Sequence, residues 1–176
     1  MKTIRIIINE LKSVEMGKVT REGTAQAHPS TIWRTCFTPM RWETWDPDVE
    51  RLENVKTNSD GTGLFNGNTF TFVMKTGTSI PTTVSEVVEN ESLVFSGSLL
   101  GGLVGFQGRI DMTPTDTTGD DGGAPTTHIK YSFGMNGFLG GVLGWVKSGE
   151  VVNGTEQGLA NIIKMSEEAE RNGPQE

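Results

Sequence analysis

The side chains that could carry out acid–base chemistry in this chain lie on segments with strand-like alternation. Four of them share one face of two segments, "GFQGRIDMTP" and "THIKYSFGM", that would pair as a hairpin: Arg109, Asp111, His128 and Lys130. Asp111 would stand opposite His128 or Lys130, an arrangement that could transfer protons. Because this face alternates away from the apolar one, a solvated cross-strand ion pair is the preferred interpretation. A register shift of one residue would turn these four side chains to the other face of the sheet and reverse this interpretation.

Two other side chains could point into an interior. Tyr131, the single tyrosine, shares the apolar face of its segment with Phe133. It could orient a ligand or act as a weak acid, and a core tyrosine with a bonded hydroxyl is the alternative. Glu86 is two residues from Val84 and would lie on the same strand face. If that face were buried, the pKa of the carboxyl would be raised. A solvated glutamate is the default interpretation. The catalytic residues are therefore unassigned, with Tyr131 and Glu86 as weak candidates.

Metal, phosphate and disulfide chemistry have little support in the sequence. His28, His128 and Cys36 show no metal-ligand spacing, so we expect no metal and no cofactor. No Gly-Lys-Ser/Thr follows the glycine-rich stretches, which excludes a phosphate loop. A single cysteine allows no internal disulfide, consistent with a reducing cytoplasm. Cys36 lies on an apolar helix face, where a buried thiol is expected.

The charge balance and the apolar segments restrict the partners. The net charge of −7 argues against a nucleic-acid backbone and against docking on anionic lipid. The first residues, "MKTIRIIINELK", lack the long apolar region of a signal peptide. No apolar stretch approaches the roughly 20 residues needed to cross a bilayer. We expect a cytoplasmic protein without stable membrane insertion.

The elements that would position these residues form an α+β pattern. Segments with period-2 alternation predict a curved antiparallel sheet of about seven strands, and "PSTIWRTCF" and "PMRWETW" predict two short helices after the first strand. An amphipathic helix from about Leu143 to Ala169 would cover the sheet. The predicted divisions are an N-terminal extension or edge strand (1–15), one domain (16–170) and a disordered tail (171–176).

Two glycines, Gly154 and Gly158, lie in the apolar arc of the long helix. Each costs about 1 kcal/mol of helix stability relative to alanine. Either they let the helix approach the sheet closely, or they leave volume unfilled so that helix and sheet enclose a cavity. Both interpretations stay open.

Two uncharged segments repeat one pattern of glycine and large apolar residues: "LLGGLVGF" (99–106), here the first Gly-Leu segment, and "FLGGVLGW" (138–145), the second. Alternate loops of an antiparallel meander lie at the same end of the sheet. Both segments should therefore lie at one end, together with the turn at 76–78. They would form a mobile gate or docking surface, or alternatively plain core packed around glycines.

The order of elements resembles the helix-grip fold of the START and birch-pollen-allergen-like (SRPBCC) superfamily, in its polyketide cyclase/dehydrase branch. The stretch "AHPSTIWRTCFTPMRWETWDPDVERLE" is similar to its N-terminal signature, and "GLANIIKMSEEAE" to its last helix. The matching signature residues are Ala27, Pro29, Trp33, Trp42, Trp45, Pro47 and Val49. The resemblance implies an apolar cavity between sheet and helix.

The leading hypothesis is that this cavity binds a hydrophobic small molecule, such as a lipid, polyketide or terpenoid. The expected lining comes from the apolar strand faces, the Gly-Leu segments and the long helix: Phe70, Phe72, Met74, Phe95, Leu99, Leu103, Phe106, Ile110, Met112, Tyr131, Phe133, Met135, Trp145 and Ile162. One alternative is a metal-free cyclase or dehydratase that folds its substrate in the same cavity. Another is an interaction module that forms a homodimer through the Gly-Leu segments.

Overall fold

The computed structural model describes residues 18–37, 41–56, 63–115, 125–137 and 148–173. Its strands are β1 (Lys18–Ala25), β2 (Val49–Glu53), β3 (Thr69–Met74), β4 (Ser79–Val88), β5 (Ser92–Leu99), β6 (Val104–Thr115) and β7 (Thr126–Asn136). Its helices are α1 (Pro29–Cys36), α2 (Trp42–Trp45) and the long α3 (Ser148–Asn172).

The seven strands form one antiparallel sheet in the order β1-β7-β6-β5-β4-β3-β2. Strands β2 to β7 follow one another as a meander, and β1 completes the sheet by pairing with β7. Helix α3 packs on β1 and β7 and is flanked by α1 and α2. This is the helix-grip arrangement, and the predicted α+β class is confirmed.

The tryptophans of the N-terminal signature are packing residues. Trp42 is fully buried, and its ring lies 5.3 Å from Phe70, 5.4 Å from Phe72 and 5.1 Å from Phe95 between centroids. The Trp45 indole donates a hydrogen bond to the Cys36 carbonyl at 2.8 Å. These contacts fasten both short helices to the inner face of the sheet.

Two glycines let phenylalanine rings lie across the neighbouring strand. Phe95 pairs with Gly108, and Gly97 pairs with Phe106. A Cβ atom at Gly108 would stand 2.2 Å from the Phe95 ring, and one at Gly97 would stand 2.5 Å from the Phe106 ring. The rings therefore occupy the space where side chains of β5 and β6 would otherwise project.

A β-bulge in β4 places Glu86 on the outer face. The register of β4 against β5 shifts between Val84 and Glu86, so strict alternation does not carry across this point. The Glu86 carboxylate meets Arg109 at 3.4 Å and accepts a hydrogen bond from Ser92 at 3.2 Å. The solvated orientation, which was the default interpretation, is therefore confirmed, and the inward alternative suggested by parity is wrong.

The charged face of β6 and β7 is solvated, as the alternation predicts. Asp111 stands opposite Lys130, yet its ion pair is with Arg109 at 2.8 Å along the same strand. His128 and Lys130 instead approach Glu22 of β1, at 3.4 and 3.5 Å. The strand β1 therefore supplies a partner that the hairpin alone could not reveal.

Only some of the predicted domain and helix boundaries fall within the described residues. Helix α3 continues to Asn172, two residues into the stretch predicted as a disordered tail. The proposed extension 1–15, the predicted helix start at Leu143 and the second Gly-Leu segment lie outside the described residues.

Candidate functional site

A cavity of about 540 Å³ lies between the sheet and helix α3, with two chemically different walls. The sheet contributes nine residues from five strands: Phe72, Met74, Ile80, Phe95, Leu99, Phe106, Tyr131, Phe133 and Met135. The opposite wall comes from the α2–β2 connection, the β3–β4 turn and the first turns of α3, and its polar members are Asp46, Asp48, Lys75, Thr76, Thr78, Glu150, Asn153, Thr155 and Gln157. We call these the sheet wall and the polar wall.

The structure brings eight of the fourteen sequence-predicted lining residues to this cavity: Phe72, Met74, Phe95, Leu99, Phe106, Tyr131, Phe133 and Met135. Four others belong to the packed core and do not line it: Phe70, Ile110, Met112 and Ile162. Leu103 is 47% exposed, and Trp145 lies outside the described residues. Alternation indicates which face a residue is on, but helix packing decides which part of that face stays open.

The first Gly-Leu segment lies at the same end of the sheet as the turn at 76–78. Leu99 lines the cavity with Thr76 and Thr78, whereas Leu100 is 70% exposed. The end of β7 is beside it, because a Cβ at Gly137 would stand 2.8 Å from the Leu103 carbonyl oxygen. The segment is thus neither fully buried nor wholly outside the cavity.

The polar wall contains an acidic pair that the sequence reasoning missed. Asp46 ends α2, and its Oδ1 accepts a hydrogen bond from the Asp48 backbone N–H at 3.0 Å. Both aspartates lie in "WDPDVE", inside a motif interpreted only as packing. The available signal was the presence of two acids immediately after a buried tryptophan, where a purely structural motif needs none.

The two helix glycines have different roles at this wall. A Cβ at Gly154 would stand 2.8 Å from Oδ2 of Asp48, so this glycine makes room for the carboxylate, and it also lines the cavity. A Cβ at Gly158 would meet the ring of Tyr131 at 3.4 Å and that of Trp45 at 3.7 Å. Both distances at Gly158 are ordinary van der Waals contacts, so packing there does not require glycine, whereas a side chain at Gly154 would displace the Asp48 carboxylate.

Tyr131 is the one sheet-wall residue with a polar atom. It is 3% exposed, and its ring lies edge-on to Trp45 at 6.0 Å between centroids. No hydrogen bond joins its hydroxyl to another described residue, although this hydroxyl is not one of the fully enclosed polar atoms without a partner, which are Trp42 Nε1 and Asn68 Oδ1. Burial, reinforced by the charges of Asp46 and Asp48, raises the pKa of Tyr131 well above its ordinary value. The group is therefore a neutral hydroxyl that can donate or accept.

Burial also raises the pKa of the half-buried Asp46 carboxyl to about 6, and the repulsion from Asp48 adds to this effect. The hydrogen bond from the Asp48 N–H and the charge of Lys75 oppose the increase. Cys36 is not a nucleophile. It is fully buried beside Ser166, and burial raises the pKa of its thiol to about 11.

Asp46→Asn is expected to stabilise the fold at pH 7 by up to about 2 kcal/mol. The carboxyl pKa rises from 3.8 to about 6 on folding. The native state therefore binds the proton more tightly, and stability falls as the pH rises from about 4 to about 6. Asparagine keeps the acceptor for Asp48 N–H and never ionises. In urea titrations, the difference between variant and wild type should be near zero at pH 4 and grow up to pH 7. A difference independent of pH would contradict this assignment.

Metal ligation and membrane spanning were considered for the described ranges only. Within them, no three His, Cys, Asp or Glu side chains gather closely enough to hold a metal ion. None of the helices in these ranges has the length and apolar character required to cross a bilayer.

Solved structures share this architecture at low sequence identity. A protein from Mesorhizobium loti is 18% identical, with a TM-score of 0.63, and the match covers 86% of this chain and 98% of that one. A hypothetical protein from Helicobacter pylori is 14% identical at a TM-score of 0.60, with 94% and 99% covered. A START superfamily protein from Mycobacterium smegmatis is 15% identical at 0.58, with 84% and 97% covered. At such identities the similarity shows the fold alone.

A match at the level of the sequence itself gives the family. No curated protein matches the chain. Residues 16–165, however, match the family described as "Polyketide cyclase / dehydrase and lipid transport". This match spans the signature tryptophans, all seven strands and most of α3. The chain therefore belongs to the polyketide cyclase/dehydrase and lipid-transport family of the SRPBCC superfamily.

Proposed function

We propose that this protein binds a hydrophobic small molecule, of lipid, polyketide or terpenoid type, in the cavity between sheet and α3. The observation that carries the proposal is the sheet wall: nine side chains, all apolar except for the Tyr131 hydroxyl, border about 540 Å³ of open volume. Small-molecule sites typically have volumes of about 300–1,000 Å³ and mostly apolar linings. The family's description, which includes lipid transport, supports the same class of ligand.

The cavity is open because of particular residues. Gly97 and Gly108 allow the Phe106 and Phe95 rings to lie across the sheet, and Gly154 withholds a side chain from the facing helix. Glycine in a strand or helix interior costs about 0.5–1 kcal/mol relative to alanine. Open volume maintained at such a cost favours a binding role over an incompletely packed core.

Leu99→Trp is expected to weaken the binding of a neutral apolar probe, N-phenyl-1-naphthylamine, at least tenfold. Leu99 lines the cavity, and the larger side chain would occupy part of its volume. Leu103→Trp is the matched control, because Leu103 is in the same Gly-Leu segment but is 47% exposed and outside the cavity. Fluorescence titration measures both affinities. Equal affinities of the two variants would overturn this cavity as the binding site.

Native mass spectrometry of the purified protein tests the function independently of any probe. A bound apolar molecule should be released on denaturation from the wild type and be depleted in Leu99→Trp. If the wild type and Leu99→Trp retain the same molecule equally, the ligand binds elsewhere.

A second candidate function is cyclisation or dehydration of a polyketide-type substrate in the same cavity. The observation that favours it is the Asp46 carboxyl, whose pKa of about 6 suits an acid or base near neutral pH. Glu86 is not proposed for this role, because it is ion-paired on the outer face. An enzyme of this kind would keep ligand binding but lose turnover in Asp46→Asn, whereas a carrier has no turnover to lose.

A further inference from the structure

The two walls of the cavity require different chemistry from one ligand. The sheet wall offers aromatic and aliphatic surface, and the polar wall offers carboxylates, amides and hydroxyls. None of the sheet-wall side chains is exposed, whereas most side chains of the polar wall, including Asp48 and Lys75, are exposed. A ligand that fills the cavity would therefore cover buried apolar surface on one side and face exposed polar groups on the other. The ligand therefore needs an apolar body and one polar end.

The charge of the polar wall restricts that polar end. Two carboxylic acids of the α2–β2 connection, Asp46 and Asp48, line the cavity near one cation, Lys75. The Lys75 ammonium donates to the Pro47 carbonyl at 2.6 Å, so its position is fixed by the same connection that carries the aspartates. An anionic head group would meet net repulsion here, and a cationic one net attraction.

An independent observation locates the head group. The Tyr131 hydroxyl belongs to a side chain that is 3% exposed, lines the cavity and has no hydrogen-bond partner among the described residues. A neutral hydroxyl that lines a cavity can donate a hydrogen bond to a ligand there or accept one from it. Asp46 and Asp48 line the same cavity as Tyr131, and their charges contribute to the raised pKa of Tyr131. A donor group placed between these three side chains would satisfy all of them.

We propose, on the basis of the binding function inferred above, that the ligand is an amphiphile with a protonated amine, held by Asp46, Asp48 and the Tyr131 hydroxyl while its apolar body lies on the sheet wall. An ammonium group has several donors and no acceptor. It can therefore bond to two carboxylates and to the lone pair of a neutral hydroxyl together. Charge-assisted hydrogen bonds of this type are stronger than neutral ones.

The test compares head groups on one chain length with the full-length protein. Dodecylamine, dodecanol and dodecanoate, each below its micelle concentration, compete with N-phenyl-1-naphthylamine at pH 7.5. The amine should bind at least tenfold more tightly than the alcohol, and dodecanoate should bind most weakly. Asp48→Asn and Tyr131→Phe should each reduce the preference for amine over alcohol several-fold. Glu86→Gln is the control acid, because Glu86 is on the outer face, and it should leave the preference unchanged.

The outcomes separate the two proposals. Equal affinities for the three head groups, or tightest binding of dodecanoate, would overturn the amine inference and leave apolar binding intact. Probe binding without competition from any of the three would also overturn it. If neither the probe nor any competitor binds, the proposed function fails and the inference fails with it. An unchanged amine preference in both Asp48→Asn and Tyr131→Phe would show that the head group lies elsewhere and would overturn this assignment.

Discussion

Replacing Trp42 with alanine is expected to lower the free energy of unfolding by about 3–5 kcal/mol, the range for removal of a large buried aromatic side chain. Trp42 is fully buried, and four aromatic rings surround it: Trp45, Phe70, Phe72 and Phe95. Its indole N–H has no hydrogen-bond partner among the described residues. The loss should therefore come from packing alone.

Urea unfolding followed by fluorescence and by circular dichroism measures this loss. Leu100→Ala is the control, since Leu100 is 70% exposed and its truncation should change stability by less than about 0.5 kcal/mol. Because Phe72 and Phe95 both contact Trp42 and line the cavity, the variant should also bind the apolar probe more weakly. A loss below 1 kcal/mol would contradict the central position assigned to this ring.

Gly108→Ala is expected to lower the free energy of unfolding by about 2–3 kcal/mol, the upper part of the usual range for overpacking. The new Cβ would stand 2.2 Å from the Phe95 ring, and that ring is held between Trp42, Phe72 and Phe106. Neither the backbone of β6 nor the ring can move without breaking other contacts.

The same substitution tests how the cavity is kept open. Phe95 lines the cavity, so displacing it toward α3 should reduce probe affinity as well as stability. Gly149→Ala is the control, because a Cβ there meets nothing within 4 Å, and helix propensity makes the change neutral or stabilising by up to about 1 kcal/mol. Equal stability of the two alanine variants would mean that Gly108 is not required for the position of the ring.

Alternation predicted most of the strand faces, since successive side chains of a strand point to opposite sides. It gave the correct face for Tyr131, and it placed Asp111 opposite Lys130 on the solvated face. At Glu86 parity alone suggested an inward side chain, but the solvated default is correct, because one extra residue at the bulge shifts the register of β4 against β5. A bulge of this kind cannot be recognised from the periodicity of the sequence. Each of the two alternating faces of "TTVSEVVE" contains at least one valine, so either face could be the inner one.

Local sequence by itself determined the order of elements, the apolar stripe of α3 and the membership in a family whose signature consists of packing residues. Only the tertiary structure decided which part of the inner sheet face stays open, because α1 and α3 cover one region and leave another. It also brought Asp46 and Asp48, which precede β2, to the same cavity as Tyr131 of β7 and Gly154 of α3. These groups are far apart in sequence, so no spacing rule links them. Their proximity follows from long-range packing, which also changes the pKa of Asp46 and of Tyr131 through burial.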